Sequence, residues 1–535
     1  SSSSAGYGLV YAKNGSVRTA LLPVTSTDLN LDVSESINLL IPGGQGMTYE
    51  LTGKFTADTG VETRLRRTGH AEETLTATET KDGFTRTDPL LSSTNTYQII
   101  FGDDKYVCKI TDEHRFTKIS DAIQYAVDNH MTTAKIEMLV DYLLPSADDV
   151  AIPDGYDITL TTAQKTVNGV EQRYYYHPGN PDELRATISR DTDNRNAMVR
   201  TVKPWDDRNH SNTTALTITD LVFDVKGVQG STENGAVQTN HCSVTVDNVY
   251  FKNLYAVNGG AIFAQVGVSR ENSFVTVTNS QFYNCHSTAS GGRNGGGAIN
   301  AWAANLTVQD STFDSCDAVW QAGAVFHRID TGDKNYASES RIERCEFTNC
   351  RAQAAGGLEL DAKSIAINDC TFQNCVANSR NGGAFNIYVA DTGTPDFDCS
   401  AIVTGCSFID CHLTDEIAYQ SQSKGNGGGF RSNSLRAIVS DCTFTNTSTY
   451  KNGGAISVSN TNATYTRIYG TSIDRCTAGD QGGGVYSVAL ETTVADFVSI
   501  TTSSVSGATG SEYLYSKTDA VDKTKVVYVF ENLQQ

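Results

Sequence analysis

Apolar and polar residues alternate in short bursts through the middle of the chain, and the bursts recur. Between about Val244 and Val488 one pattern is written eight times. It reads "VTVTNSQFYNC…GGGAINAW" at 275–302, "LTVQDSTFDSC…AGAVFHR" at 306–328 and "SRIERCEFTNC…GGLELDA" at 340–362, and weaker copies around Phe251 and Ile473 open and close the series. Each copy holds three extended pieces. The first alternates (Val275, Val277), the second carries a phenylalanine, and the third follows a glycine pair (Ala298-Ile299-Asn300). Alternation over so few positions predicts strands rather than helices, and self-similarity at a few tens of residues predicts a repeat architecture.

Parallel strands normally need crossover helices, yet no helical pattern separates these pieces. The solution left is a parallel β-helix, in which each strand pairs with its equivalent one turn later. The columns agree. Phe251, Phe282, Phe313, Phe347, Phe372, Phe408 and Phe444 share one position, at separations of 31, 31, 34, 25, 36 and 36 by subtraction; extra residues leave as corner loops. Cysteines form a second column three residues later (Cys285, Cys316, Cys350, Cys375, Cys411, Cys476) and a third two residues before the Phe (Cys345, Cys370, Cys406, Cys442). Turns stacked ~4.8 Å apart make ladders of like side chains. The glycines supply backbone freedom at a corner.

Outside the repeats the reading is coarser. Residues 1–104 alternate like strands ("MTYELTGKF", "NTYQIIFG") and predict a small β-rich module. A helix near 117–130 follows, with Ser120 as N-cap and Ile123, Tyr125, Ala126 and Val127 as its apolar face. Its position predicts a cap on a β-helix running over 105–535. "KIEMLVDYLL" and "YDITLTT" read as the first coil, 165–243 as irregular coils, and the strand-like segments after Val488 as the far end.

Composition narrows the function. The net charge of −20 over 535 residues and the lack of a Lys/Arg patch argue against nucleic acid and anionic membrane surfaces. No apolar run approaches a membrane span. The opening "SSSSAGYG" does not read as a signal peptide. Thirteen cysteines would suggest disulfides in a small secreted domain. Here they recur at equivalent positions, where a small apolar side chain packs well, and no Cys-x-x-Cys pair supports zinc.

The helix followed by "IEMLVDYLLPSADDVAIPDGYDITLTT" resembles the opening of right-handed β-helix domains in large surface proteins of Gram-positive gut bacteria. The paired Phe-x-Asn-Cys and Gly-Gly-Ala-Ile motifs resemble the repeats of the chlamydial polymorphic outer-membrane adhesins, although here the Asn follows the Phe by two residues (Asn284, Asn349, Asn374, Asn446). The resemblance covers about half the chain. It implies a right-handed coil, the general hand of parallel crossovers, and a non-catalytic surface protein involved in adhesion. No barrel translocator or wall-sorting motif is visible, so the chain reads as part of something longer.

An enzyme is the rival reading, because many β-helices act on polysaccharides. Asp206-Asp207 is present, but the Gly-His-Gly of polygalacturonases is not. One place carries candidate chemistry. Aligned on their glycines, the third strands put His327 and Asp361 in one column and Trp302, Arg328 and Tyr388 in the next. The same alignment puts Glu359 where Ile299, Val325 and Phe385 are buried, which is costly for a lone carboxylate. A one-residue slip resolves the conflict, turning Leu358 and Leu360 inward and Glu359 and Asp361 outward. The preferred reading of this face is a solvated polar surface, ahead of a ligand-binding patch. Calcium at Asp330, Asp333 and Asn335, or at Asp391, Asp396 and Asp398, is the minority reading, since turn chemistry explains the same residues.

The expectation is an extracellular adhesin or ligand-binding scaffold, secreted or at the cell surface, without catalysis or cofactor. It would hold a host protein or glycan through unequal corner loops (286–295, 412–426, 266–273, 329–339, 390–399). The alternatives are a polysaccharide lyase or glycoside hydrolase and a structural stalk.

Overall fold

The computed structural model describes residues 10–516 except 14–16, 24–35, 43–47, 55–62, 68–69, 71–72, 83, 90–93, 102–105, 112, 168–169, 174–184, 192–195, 203–212, 226–234, 266–273, 289–294, 303–304, 329–337, 388–398, 415–424, 461–462, 489–492, 497, 502–503 and 506–513. The chain divides into two compact units: 1–122 with 136–142 and 162–186, and 123–135 with 143–161 and 187–535. The first unit holds two four-stranded sheets. One joins Val10–Lys13, Val17–Pro23, Thr48–Lys54 and Phe84–Pro89; the other joins Ser36–Pro42, Thr94–Phe101, Thr63–Arg67 and Glu73–Leu75. A short helix, Ala77–Asp82, is closed by a capping box: the Glu79 amide donates to Thr76 Oγ1 at 3.2 Å and the Thr76 amide to Glu79 Oε2 at 2.9 Å.

A second helix, Ile119–Asp128, forms where the apolar period predicts one. It starts one residue before Ser120, and its buried face is Ile119, Ala122, Ile123 and Ala126, a spacing of three and four. Tyr125 and Val127 are only half-buried. The sequence reading therefore placed the apolar face a fraction of a turn away.

From Ala215 onward the second unit is a parallel β-helix. Each full turn has four strands, not three, as in Ser364–Asn368, Thr371–Gln373, Val376–Ala377 and Phe385–Ile387. Equivalent strands of successive turns pair in parallel and form four sheets. Register is kept by identity: Phe313 pairs with Phe347, Phe347 with Phe372 and Phe372 with Phe408. Inside, rings from Phe223 to Phe444 form one stack, with neighbouring centroids 4.3–5.2 Å apart and ring planes within 12° of parallel.

The asparagine of Phe-x-Asn-Cys has a backbone cause. Asn284, Asn349, Asn374 and Asn446 sit at φ of 52, 56, 54 and 54°, the left-handed region that asparagine tolerates better than most side chains. They turn the chain from the second sheet into the short third strand. Their amides also stack, Asn284 Nδ2 donating to Asn253 Oδ1 at 3.0 Å and Asn374 Nδ2 to Asn349 Oδ1 at 3.3 Å.

The cysteines are free and buried. Each thiol of the longer column points at the phenylalanine carbonyl one turn back: Cys350 Sγ lies 3.5 Å from Phe313 O and Cys375 Sγ 3.4 Å from Phe347 O. Burial pushes the Cys350 thiol up and that of Cys242 to about 12, and it keeps reagents away from all thirteen sulfurs, whichever way their neighbours shift them. Native protein should therefore leave all thirteen thiols unmodified by Ellman's reagent over minutes, and guanidinium should release thirteen. Rapid native modification of several would contradict this packing.

Candidate functional site

The last sheet of each turn carries the candidate chemistry. Its inward column runs Ile299, Val325, Leu358, Phe385, Phe430, and Phe385 and Phe430 meet the core ring stack, Phe385 at 5.4 Å from Phe372 and Phe430 at 5.8 Å from Phe408. Successive strand residues face opposite sides, so the next column points out: Asn300, Phe326, Glu359, Asn386, Arg431. Arg328 and Asp361 pair two residues further on, and Trp302 ends the strand of Asn300.

Leu358 and Leu360 thus face inward and Glu359 and Asp361 outward, but no strand has slipped. Gly356, not Gly357, is the partner of Gly323 in the stack. The position before it, glycine at 259, 296, 382, 427, 453 and 482, is alanine at 322 and 355, both held left-handed at φ of 51 and 61°. Alignment on the last glycine before the strand, Gly357 against Gly323, is therefore wrong by one residue at this turn. The same correction separates His327 from Asp361. His327 pairs with Leu360 and is fully buried inside the coil, where its Nδ1 lies 2.6 Å from Ser340 Oγ. It does not belong to the outer group.

The expectation of a solvated surface is overturned. Glu359 is 3 % exposed, Asp361 2 %, Asn386 4 % and Asn300 0 %. Asn300 has no hydrogen-bond partner for either side-chain polar atom among the described residues, and neither has Glu359 Oε2. Glu359 Oε1 accepts from Gln321 Nε2 at 2.8 Å. Arg431 Nη1 donates to Asn386 Oδ1 at 3.3 Å. The Arg380 guanidinium lies 4.4 Å from the centre of the Trp320 ring, next in sequence to Gln321. Trp302 and Arg328 are half-buried. Tyr388, Asp330, Asp333, Asn335, Asp391, Asp396 and Asp398 lie outside the described residues. Among the described residues no three His, Cys, Asp or Glu side chains gather as a metal-binding group.

The sequence reading missed Asn300, Gln321, Arg380, Asn386 and Arg431. A signal existed: the residue two after the stacked glycine's neighbour is polar in "AIN", "LEL", "AFN" and "FRS", a polar ladder on a strand whose other face is core.

Burial pushes the Glu359 carboxyl up to about 7, against the pull of Arg380, Asn386, Arg328 and Arg431 nearby. Folded Glu359 thus holds its proton more tightly than unfolded Glu359. The stability it contributes is full below the ordinary value of 4.5 and is lost as pH rises through about 7. Glu359→Gln should match the wild type near pH 4.5 and be more stable by up to about 3 kcal/mol at pH 8. Urea midpoints across this range measure it. Parallel pH profiles for the two proteins would contradict it.

A family model supports the fold. The family model for a right-handed β-helix region matches residues 210–399. No curated protein matches the chain. Among solved structures, the catalytic unit of the thermostable GH87 α-1,3-glucanase from Streptomyces thermodiastaticus strain HF3-3 is similar at 10% identity with a TM-score of 0.33, over 91% of this chain and 89% of that one. Among the described residues no helix is long and apolar enough to cross a membrane.

Proposed function

We propose that this right-handed parallel β-helix is a non-catalytic ligand-binding scaffold that takes a saccharide on the outward face of its last sheet. As a surface or secreted protein it would act as an adhesin. The resemblance of its repeats to surface adhesins is the ground for that setting. The carrying observation is Asn300: fully buried, pointing outward, with both amide atoms unpartnered among the described residues. A buried amide left so costs about 1–3 kcal/mol unless something else supplies the bonds. Planar amides (Asn300, Asn386, Gln321), guanidiniums and the Trp302 and Trp320 rings suit sugar hydroxyls and sugar faces. Of the corner loops first expected to do the binding (286–295, 412–426, 266–273, 329–339 and 390–399), residues 289–294, 415–424, 266–273, 329–337 and 390–398 lie outside the described residues.

Asn300→Ala separates a binding role from a structural one. It should weaken retention on a glycan array at least tenfold, while stability stays level or rises, because an unsatisfied amide is removed. Unchanged retention would remove the site. Loss of stability by 2 kcal/mol or so would make Asn300 a structural residue.

One observation favours hydrolysis as a second reading. Glu359 and Asp361 lie two residues apart on one strand face, about 6.6 Å between Cα atoms, and burial pushes the Glu359 carboxyl up to about 7, so that it can act as an acid near neutrality. Release of reducing ends from a glycan by the wild type and not by Glu359→Gln would establish that reading.

A further inference from the structure

We infer that the two cysteine files are an oxidation site, where a small hydroperoxide joins thiols of neighbouring turns into disulfides. The inference is independent of the proposed binding face and concerns the inside of the coil.

The geometry carries it. Cys285, Cys316, Cys350, Cys375 and Cys411 follow one another on five successive turns, and Cys345, Cys370, Cys406 and Cys442 on four. The chain stays in register through them. The amide of Arg351, next after Cys350, donates to Cys316 O at 3.0 Å, and that of Ser407, next after Cys406, to Cys370 O at 2.9 Å. Neighbouring Cα atoms of a file are therefore about 4.8 Å apart, inside the span of about 4.4–6.8 Å that a disulfide bridges. The thiols also hydrogen-bond to one another along each file: Cys285 with Cys316 and Cys350 with Cys375 in one, Cys345 with Cys370 and Cys406 with Cys442 in the other. The other four cysteines stand beside different residues. Cys108 lies across from Phe116 and Met138, Cys242 beside Thr214, Cys399 beside Lys363 and Leu435, and Cys476 beside Thr447.

The chemistry balances within a file. Burial raises the Cys316 and Cys375 thiols, but hydrogen bonds from the thiols on either side outweigh it and draw both down. The thiolate is the attacking form. Its sulfur breaks the O–O bond and becomes a sulfenic acid, and its proton goes to the departing alkoxide. The neighbouring thiol then attacks that sulfur. An S–S bond forms, and the sulfenic hydroxyl leaves as water with the second thiol's proton. Two thiols supply the two electrons that reduce the O–O bond. Burial excludes the bulky Ellman's reagent, whereas hydrogen peroxide, little larger than water, enters by local opening of a turn.

The test holds the full chain in hydrogen peroxide for hours and maps it by non-reducing peptide mass spectrometry. We expect cross-links only between file neighbours, each costing two hydrogens of mass and each reversed by dithiothreitol. Two bridges in each file consume eight of the thirteen thiols and leave five. Two variants test the file by parity. Cys350→Ala leaves two adjacent pairs, so the long file keeps two bridges, now Cys285–Cys316 and Cys375–Cys411 alone. Cys316→Ala isolates Cys285 and leaves three neighbours, so the count falls to one. Near-UV circular dichroism checks that each variant is folded. An uncross-linked native chain, sulfinic or sulfonic products without cross-links, bridges between the files or to the other four cysteines, or equal counts in the two variants would each overturn the inference.

Discussion

Phe347→Ala should cost about 4 kcal/mol of stability, read as a shift of the urea midpoint at unchanged slope. The ring is fully buried and lies between Phe313 and Phe372, 4.8 Å from each, with planes 5° and 7° off parallel. Removing it deletes the transfer free energy of a phenyl group and leaves a hole bounded by two rings. These cannot close on each other, because sheet hydrogen bonds hold the backbone turns on either side each ~4.8 Å from the turn between them. Solenoid stability is close to a sum of nearest-neighbour terms, so the loss should be local, and amide exchange should speed most in the turns holding Phe313 and Phe372. Thr371→Ala, half-buried on the outward side of that sheet, should cost less than about 0.5 kcal/mol. A Phe347→Ala cost below about 1 kcal/mol would mean that the rings do not stack.

Gly356→Ala should cost about 3 kcal/mol, and Gly357→Ala, one residue away, about 1 kcal/mol or less. A Cβ on Gly356 would lie 2.4 Å from Gly383 O, 2.5 Å from Val376 N and 2.9 Å from the Cys375 carbonyl carbon, all backbone. Nothing there can rotate away, so a whole turn must move. Gly297, Gly323, Gly383 and Gly428 stand in the same file, each with a glycine carbonyl of the next turn within 2.4 Å of where its Cβ would be. A Cβ on Gly357 meets Ala384 O at 3.0 Å and the Phe372 ring at 3.4 Å. Other turns put Ala298, Ala324 and Ala384 in that place, with the Ala324 amide donating to Gly357 O. Thermal midpoints of the two variants should therefore differ clearly. Equal midpoints would mean that the turns are not this close.

What the sequence made legible was chemistry that recurs. Phe347 and Cys350 repeat because each rests on its own copy, so identity along the chain reports contact in space. The corner asparagines were legible as a motif but not as a cause, since φ is not written in residue names. The short strands such as Val376–Ala377 were missed because two residues show no alternation. Glu359 was misaligned because Ala355 occupies a left-handed position that elsewhere marks itself with glycine. Its burial was unreadable for a different reason. A strand's pattern tells which side a residue faces, not whether that side is open.

The central claim is that the file Asn300, Phe326, Glu359, Asn386, Arg431 is a ligand face rather than an inert polar seam. A crystal structure of the chain soaked with the oligosaccharide best retained on the glycan array tests it most directly. Sugar density within hydrogen-bond distance of the Asn300 amide and the Glu359 carboxyl is the predicted result. Density confined to the corner loops, or Asn300 bonded to another part of the same chain with sugar bound elsewhere, would contradict it.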